Sequence, residues 1–69
     1  MVVADGKEQK LISNGQIPHS ISSRLVYELK QAHKSKETIG VRVLNSDQQL
    51  LAILQAIPEK GLKIRRVFK

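Results

Sequence analysis

The clearest hydrophobic pattern in the chain lies between Ser46 and Gly61. Ser46 followed by Gln49 forms a capping-box pattern, which is typical of a helix N-terminus. Pro58 cannot continue a helix as an interior residue, and Gly61 is a common type of helix terminator. The apolar residues between these signals cover one broad helical arc: Leu50, Leu51, Ile53, Leu54 and Ile57. The pattern predicts a helix over residues 46–57.

Two segments alternate with the period of a β-strand. In Thr38–Leu44, the apolar Ile39, Val41 and Val43 alternate with polar or small residues. A second strand is predicted over 62–68, where Lys63 and Arg65 would share one side. The Arg65-Arg66 pair breaks this alternation, so that either the strand bulges there or its core face ends at Ile64.

The first half of the chain predicts one long helix and a less regular start. The helix begins within residues 20–23 and ends near Lys34, with its apolar residues on one face: Ile21, Leu25, Leu29 and Ala32. Residues 9–13 are the better strand candidate upstream, and Asn14-Gly15 is a turn signal. For residues 1–8, a short hairpin turning at Asp5-Gly6 and a flexible terminus are equally compatible with the sequence.

The elements together predict an α+β fold in the order β(β)-α-β-α-β. We expect one domain over residues 9–69, with two helices and a single-layer sheet of three to four strands that includes at least one parallel pair. If successive crossovers move the same way, both helices cover one sheet face and Arg42, Lys63 and Arg65 occupy the other. This layout resembles that of small ribosome-associated α/β domains such as the C-terminal domain of bacterial translation initiation factor three. The resemblance is one of layout and rests on no shared motif.

Composition narrows the choice of partner. The 69 residues carry a formal net charge of +6 and include no cysteine, so disulfides and thiolate chemistry are excluded. No apolar run approaches the roughly 20 residues of a membrane span, and the N-terminus does not have the pattern of a signal peptide. We therefore expect a cytoplasmic protein with an acidic partner.

Catalysis is not predicted. His19 and His33 are far apart in sequence, with no Asp, Glu or His grouping nearby that favours a metal site. The acidic residues are scattered and the glycines occur at turn signals, so neither paired carboxylates nor a phosphate loop is present. The sequence predicts neither an enzyme nor a bound cofactor.

Nucleic-acid binding is the leading functional hypothesis, through phosphate contacts made by two basic surfaces. The strand surface comprises Arg42, Lys63, Arg65 and Arg66, and the helix surface comprises Arg24, Lys30, Lys34 and Tyr27. In a regular strand Phe68 would project opposite to Arg65, so base stacking beside the strand arginines is not predicted.

A protein-interaction or regulatory adaptor module is the alternative, with a homodimer as one form of it. Apolar residues at the margins of the predicted elements would supply its contacts: Leu51, Ile53, Leu44 and Val67.

Overall fold

The computed structural model describes residues 1–68, and Lys69 lies outside them. The elements in chain order are β1 (Val2–Val3), α1 (Gly6–Ser13), α2 (His19–Arg24), α3 (Val26–Ser35), β2 (Ile39–Leu44), β3 (Leu50–Ile57) and β4 (Gly61–Val67). The strands form one sheet in the order β1-β2-β3-β4, in which β1 and β2 are parallel and the other two pairs are antiparallel. The predicted α+β class, with a single mixed sheet and one parallel pair, is confirmed.

The core lies between the helices and one face of the sheet. Ile12, Ile21 and Leu25 from the helices are buried against strand residues that include Val43 and Leu54. Within β3 the buried positions alternate strictly with half-buried ones, because successive strand side chains point to opposite faces. Within residues 1–68 the helices pack on the core side, and no helix covers the second face. We call it the open face, and its residues are Gly40, Arg42, Leu44, Ile53, Gln55, Ile57, Lys63, Arg65, Arg66 and Phe68.

The predicted helix over residues 46–57 is wrong, because this segment is a hairpin loop followed by β3. The Asn45 side chain accepts hydrogen bonds from the N–H groups of Asp47 and Gln49, each at 2.9 Å, and Gln48 adopts a positive φ of 62°. These local hydrogen bonds close the loop between β2 and β3. Ser46, which was expected to cap a helix, lies in this loop. The same run of apolar residues is also compatible with a strand that carries apolar side chains on both faces. Hydrogen bonding to β2 and β4 makes this segment a strand.

The N-terminal segment differs from its sequence prediction in a similar way. Asp5 is the N-cap of α1, where it and Glu8 form a complete capping box, and residues 9–13 are helical rather than extended. Val2 and Val3 pair with β2 in parallel. The spacing Asp5-Gly6-Lys7-Glu8 is itself a capping-box signal that could have located this helix from the sequence.

The long helix predicted from residues 20–23 to Lys34 forms as two helices joined at Leu25. Leu25 has φ −102° and ψ 16°, which bends the run while its side chain stays buried. Lys36 ends α3 in the left-handed conformation, with φ 59°. The strand predicted over Thr38–Leu44 is confirmed as β2, and that over 62–68 as β4.

A β-bulge resolves the Arg65-Arg66 break. Ile53 pairs with Arg66 whereas the next residue, Leu54, pairs with Ile64, so Arg65 is the extra residue in β4. Arg66 therefore shares the open face with Ile53, and Val67 returns to the core side opposite Ala52. Of the two alternatives for the Arg65-Arg66 break, a bulge or an end of the core face at Ile64, the structure has the bulge, and its extra residue shifts the alternation by one position.

Candidate nucleic-acid interface

The strand cations predicted from the sequence lie together on the open face. Arg42, Ile53 and Arg66 form one cross-strand row, and Gly40, Gln55 and Lys63 form the next. Strands are spaced about 4.8 Å apart, which places the Arg42 and Arg66 backbones roughly 10 Å from one another across β3. Arg65 joins the same face, since alternation from the core-side Ile64 points it outward beside Arg66.

The bulge therefore concentrates positive charge. Without it, one of the two adjacent arginines would face the core side of the sheet. The sequence contains no Asp or Glu within β2, β3 or β4. Among residues 1–68 the ion pair present is formed elsewhere, between Arg24 and Glu8. All four strand cations are exposed and available to an anionic ligand.

Phe68 adds an aromatic ring to this surface. Its backbone N–H donates to the Leu51 carbonyl at 2.8 Å, which continues the β3–β4 pairing by one residue. The guanidinium carbon of Arg66 lies 5.0 Å from the centroid of the Phe68 ring, within the range of a cation–π interaction. Because the bulge shifts the alternation after Arg65, Phe68 lies on the same side as Arg65 and not opposite to it as in a regular strand.

The residues of the predicted helix surface do not all lie together, because Arg24 is engaged elsewhere and the other three lie on α3. Tyr27, Lys30 and Lys34 are exposed along the outer side of α3, and the Tyr27 hydroxyl accepts a hydrogen bond from Gln31 Nε2 at 3.0 Å. Since α3 packs on the other side of the sheet, these residues and the open face point in opposite directions. One short ligand cannot contact both surfaces at once.

Arg24 instead forms hydrogen bonds with other parts of the protein. Its Nη2 donates to Glu8 Oε2, its Nη1 to the Val3 carbonyl at 3.1 Å, and its Nε to the Ser20 carbonyl at 3.3 Å. Ser20 Oγ also donates to Glu8, whose side chain is only 7% exposed. The Arg24 guanidinium thus ties α2 to α1 and β1, and we leave it out of the proposed interface.

These contacts control the ionisation of Glu8. The hydrogen bond from Arg24 is the largest cause that lowers its pKa, followed by those from Ser20 and the Asp5 N–H, and together they outweigh desolvation to bring the pKa from 4.5 to about 2. The folded state therefore keeps Glu8 charged at pH values where the unfolded chain has bound a proton. Its contribution to stability is present above pH 4.5 and is lost as the pH falls towards 2.

We expect Glu8→Gln to lower the free energy of unfolding at pH 7 by about 1–2 kcal/mol. The full pKa shift is equivalent to roughly 3 kcal/mol, and we halve it because water screens the Arg24 side chain, which is 47% exposed. Urea unfolding at pH 7, 4.5 and 3 measures the effect. The gap between wild type and variant should shrink as the pH falls. Glu37→Gln, at an exposed carboxylate, makes the same charge change as a control; an equal loss there, or a gap that is independent of pH, would contradict the assignment.

A cleft of about 470 Å³ lies beside this ion pair, at the carboxyl ends of β1 and β2. Its charged groups already have partners within the protein, because the Asp5 carboxylate accepts from the Glu8 backbone N–H as the cap of α1 and Glu8 pairs with Arg24. Within residues 1–68, no group of three or more His, Cys, Asp or Glu side chains could hold a metal ion. None of the helices in that range is long and apolar enough to cross a membrane.

The residues of the protein-interaction alternative do not form one surface. Ile53 and Leu44 lie on the open face, whereas Leu51 and Val67 pack against the core. Val67 lies on the core side because the bulge shifts the alternation of β4 by one position.

Fold and site define a small α+β domain whose mixed sheet has one helix-covered face and one basic open face. Comparison with models of known protein families, with curated proteins and with solved structures gives no match to the chain. Its function must therefore be argued from the open face itself.

Proposed function

We propose that this protein binds nucleic acid through the open face of its sheet, mainly by contacts to phosphates. The observation that carries the proposal is the placement of Arg42, Lys63, Arg65 and Arg66 on one uncovered face without a carboxylate in the same strands. Arginine suits this role because its planar guanidinium can donate two parallel hydrogen bonds to a phosphate.

The electrostatics of the whole chain favour the same partner. With a formal net charge of +6, the protein attracts polyanions at long range, and the open face then supplies short-range donors. The central strand contributes Ile53 and Gln55 between the cations, so the face is not a purely charged surface. Contacts to phosphate hold a nucleic acid in place without reading much of its sequence.

A salt titration tests the proposal. We expect labelled 20-nucleotide RNA and DNA to bind at 50 mM salt and to lose roughly 60-fold in affinity by 200 mM, because four phosphate contacts give a log–log slope near −3. Fluorescence anisotropy measures both values. Polyglutamate of equal charge is the control, since it is acidic but has neither phosphates nor bases. The absence of binding at 50 mM, or equal affinity for polyglutamate, would overturn the proposal.

A further inference from the structure

The open face ends in an aromatic group that phosphate binding alone does not require. Phe68 is half-buried beside Arg66, with the guanidinium 5.0 Å from the ring centroid. Its ring is thereby held next to two exposed cations, Arg65 and Arg66. Such a ring offers a surface on which a nucleobase can stack while neighbouring phosphates contact the guanidinium groups.

The shape of the face disfavours a duplex. The major groove of B-DNA is about 12 Å wide and admits a helix or a two-stranded ribbon. Here the cations are spread over β2 to β4, with Arg42 and Arg66 roughly 10 Å apart at the backbone before their side chains are counted. A duplex also hides the faces of its bases within the stack, so it could not use Phe68.

The row beside Arg42 and Arg66 provides room for an unstacked base. Gly40 has no side chain, and apart from Gly40 itself and its two chain neighbours no atom lies within 4 Å of the point that a Cβ would occupy. Its neighbour across the ladder is Gln55, whose amide can both donate and accept hydrogen bonds. The open face therefore combines a gap, a polar amide and an aromatic ring within a set of cations.

We infer that the ligand of the open face is single-stranded nucleic acid, with one base stacked on Phe68 and adjacent phosphates on Arg66 and Arg42. This inference rests on the proposed function. It adds the strandedness of the ligand and a contact to a base. RNA and DNA share the chemistry that it uses.

Binding of single strands and duplexes to wild type and Phe68→Leu provides the test. We expect the single-stranded RNA or DNA 20-mer to bind at least tenfold more tightly than the matching duplex in 50 mM salt. Phe68→Leu should weaken single-strand binding about tenfold. The salt slope should stay unchanged, because no charge is removed. Tyr27→Leu removes an aromatic side chain from the opposite side of the molecule and should leave both affinities unchanged.

A tryptophan probe separates stacking from a loss of folding. The chain has no tryptophan, so Phe68→Trp introduces a single tryptophan at the proposed contact, and excitation at 295 nm avoids the fluorescence of Tyr27. Its fluorescence should be quenched by the single-stranded oligonucleotide and remain nearly unchanged with polyglutamate. Equal affinity for duplex and single strand, or an unquenched tryptophan in a bound complex, would overturn this inference while leaving phosphate binding in place. The absence of binding to any nucleic acid would overturn the proposed function itself.

Discussion

Replacing Arg42 and Arg66 together with glutamine should reduce nucleic-acid affinity by about a hundredfold in 50 mM salt. The two residues flank Ile53 in one cross-strand row and are both exposed. Each substitution removes one phosphate contact and should lower the affinity about tenfold. The log–log salt slope should become shallower by about 1.5, because two contacts are removed. Fluorescence anisotropy over a salt series measures both effects.

The matched control is Lys30→Gln with Lys34→Gln on α3. It removes the same two charges from the opposite side of the molecule, so it tests whether position or overall charge determines binding. We expect at most a twofold loss with an unchanged slope. If the lysine pair loses as much as the arginine pair, binding follows net charge and the open face has no special role. Circular dichroism should show all these variants folded, since none of the four residues is buried.

Leu54→Ala should lower the free energy of unfolding by about 2–5 kcal/mol, the largest stability effect that we expect. Leu54 is fully buried in the central part of β3, where its truncation leaves a cavity between sheet and helices. A domain of this size has roughly 3–10 kcal/mol of stability in total. Urea unfolding followed by circular dichroism would measure the loss, which should also appear as a markedly lower melting temperature.

Ile53→Ala is the matched control because it removes the same number of carbon atoms from the adjacent residue. Ile53 lies half-buried on the open face, so we expect a loss of about 1 kcal/mol. In β3 successive side chains point to opposite faces of the sheet, so these two neighbours differ in burial. Equal losses would therefore contradict the strand assignment of Leu50–Ile57, while a clear difference supports it.

Local sequence patterns predicted an element correctly where only one type of secondary structure was compatible with the pattern. The alternation in Thr38–Leu44 could only be satisfied by a strand with one covered face, and β2 has this arrangement. The helical face of Ile21, Leu25 and Ala32 was identified correctly, although the bend at Leu25 was not. For Leu50–Ile57 the same apolar residues suit either a helix or a two-sided strand, so local sequence could not decide between them.

The candidate site was predictable in part. The prediction that Arg42, Lys63 and Arg65 share one face combined the alternation within two strands with the condition that both helices cover the other face. The sheet face on which Arg66 lies could not be predicted, because a bulge and a strand end produce the same break in the alternation of the sequence. The role of Arg24 also depended on a long-range contact, since its partner Glu8 lies 16 residues away, in a segment that was predicted as a short hairpin or a flexible terminus and is helical.

The sequence by itself determined the α+β class, the excess of positive charge and the residues that supply it. Periodicity and composition are local properties, and a single chain displays them directly. Only the tertiary structure decided that residues 50–57 form the central strand, that a bulge at Arg65 turns Arg66 and Phe68 to the open face, and that Arg24 is tied to Glu8. Each of these outcomes depends on which distant segment supplies the hydrogen bonds and the covering surface, and the pattern of one segment does not contain that information.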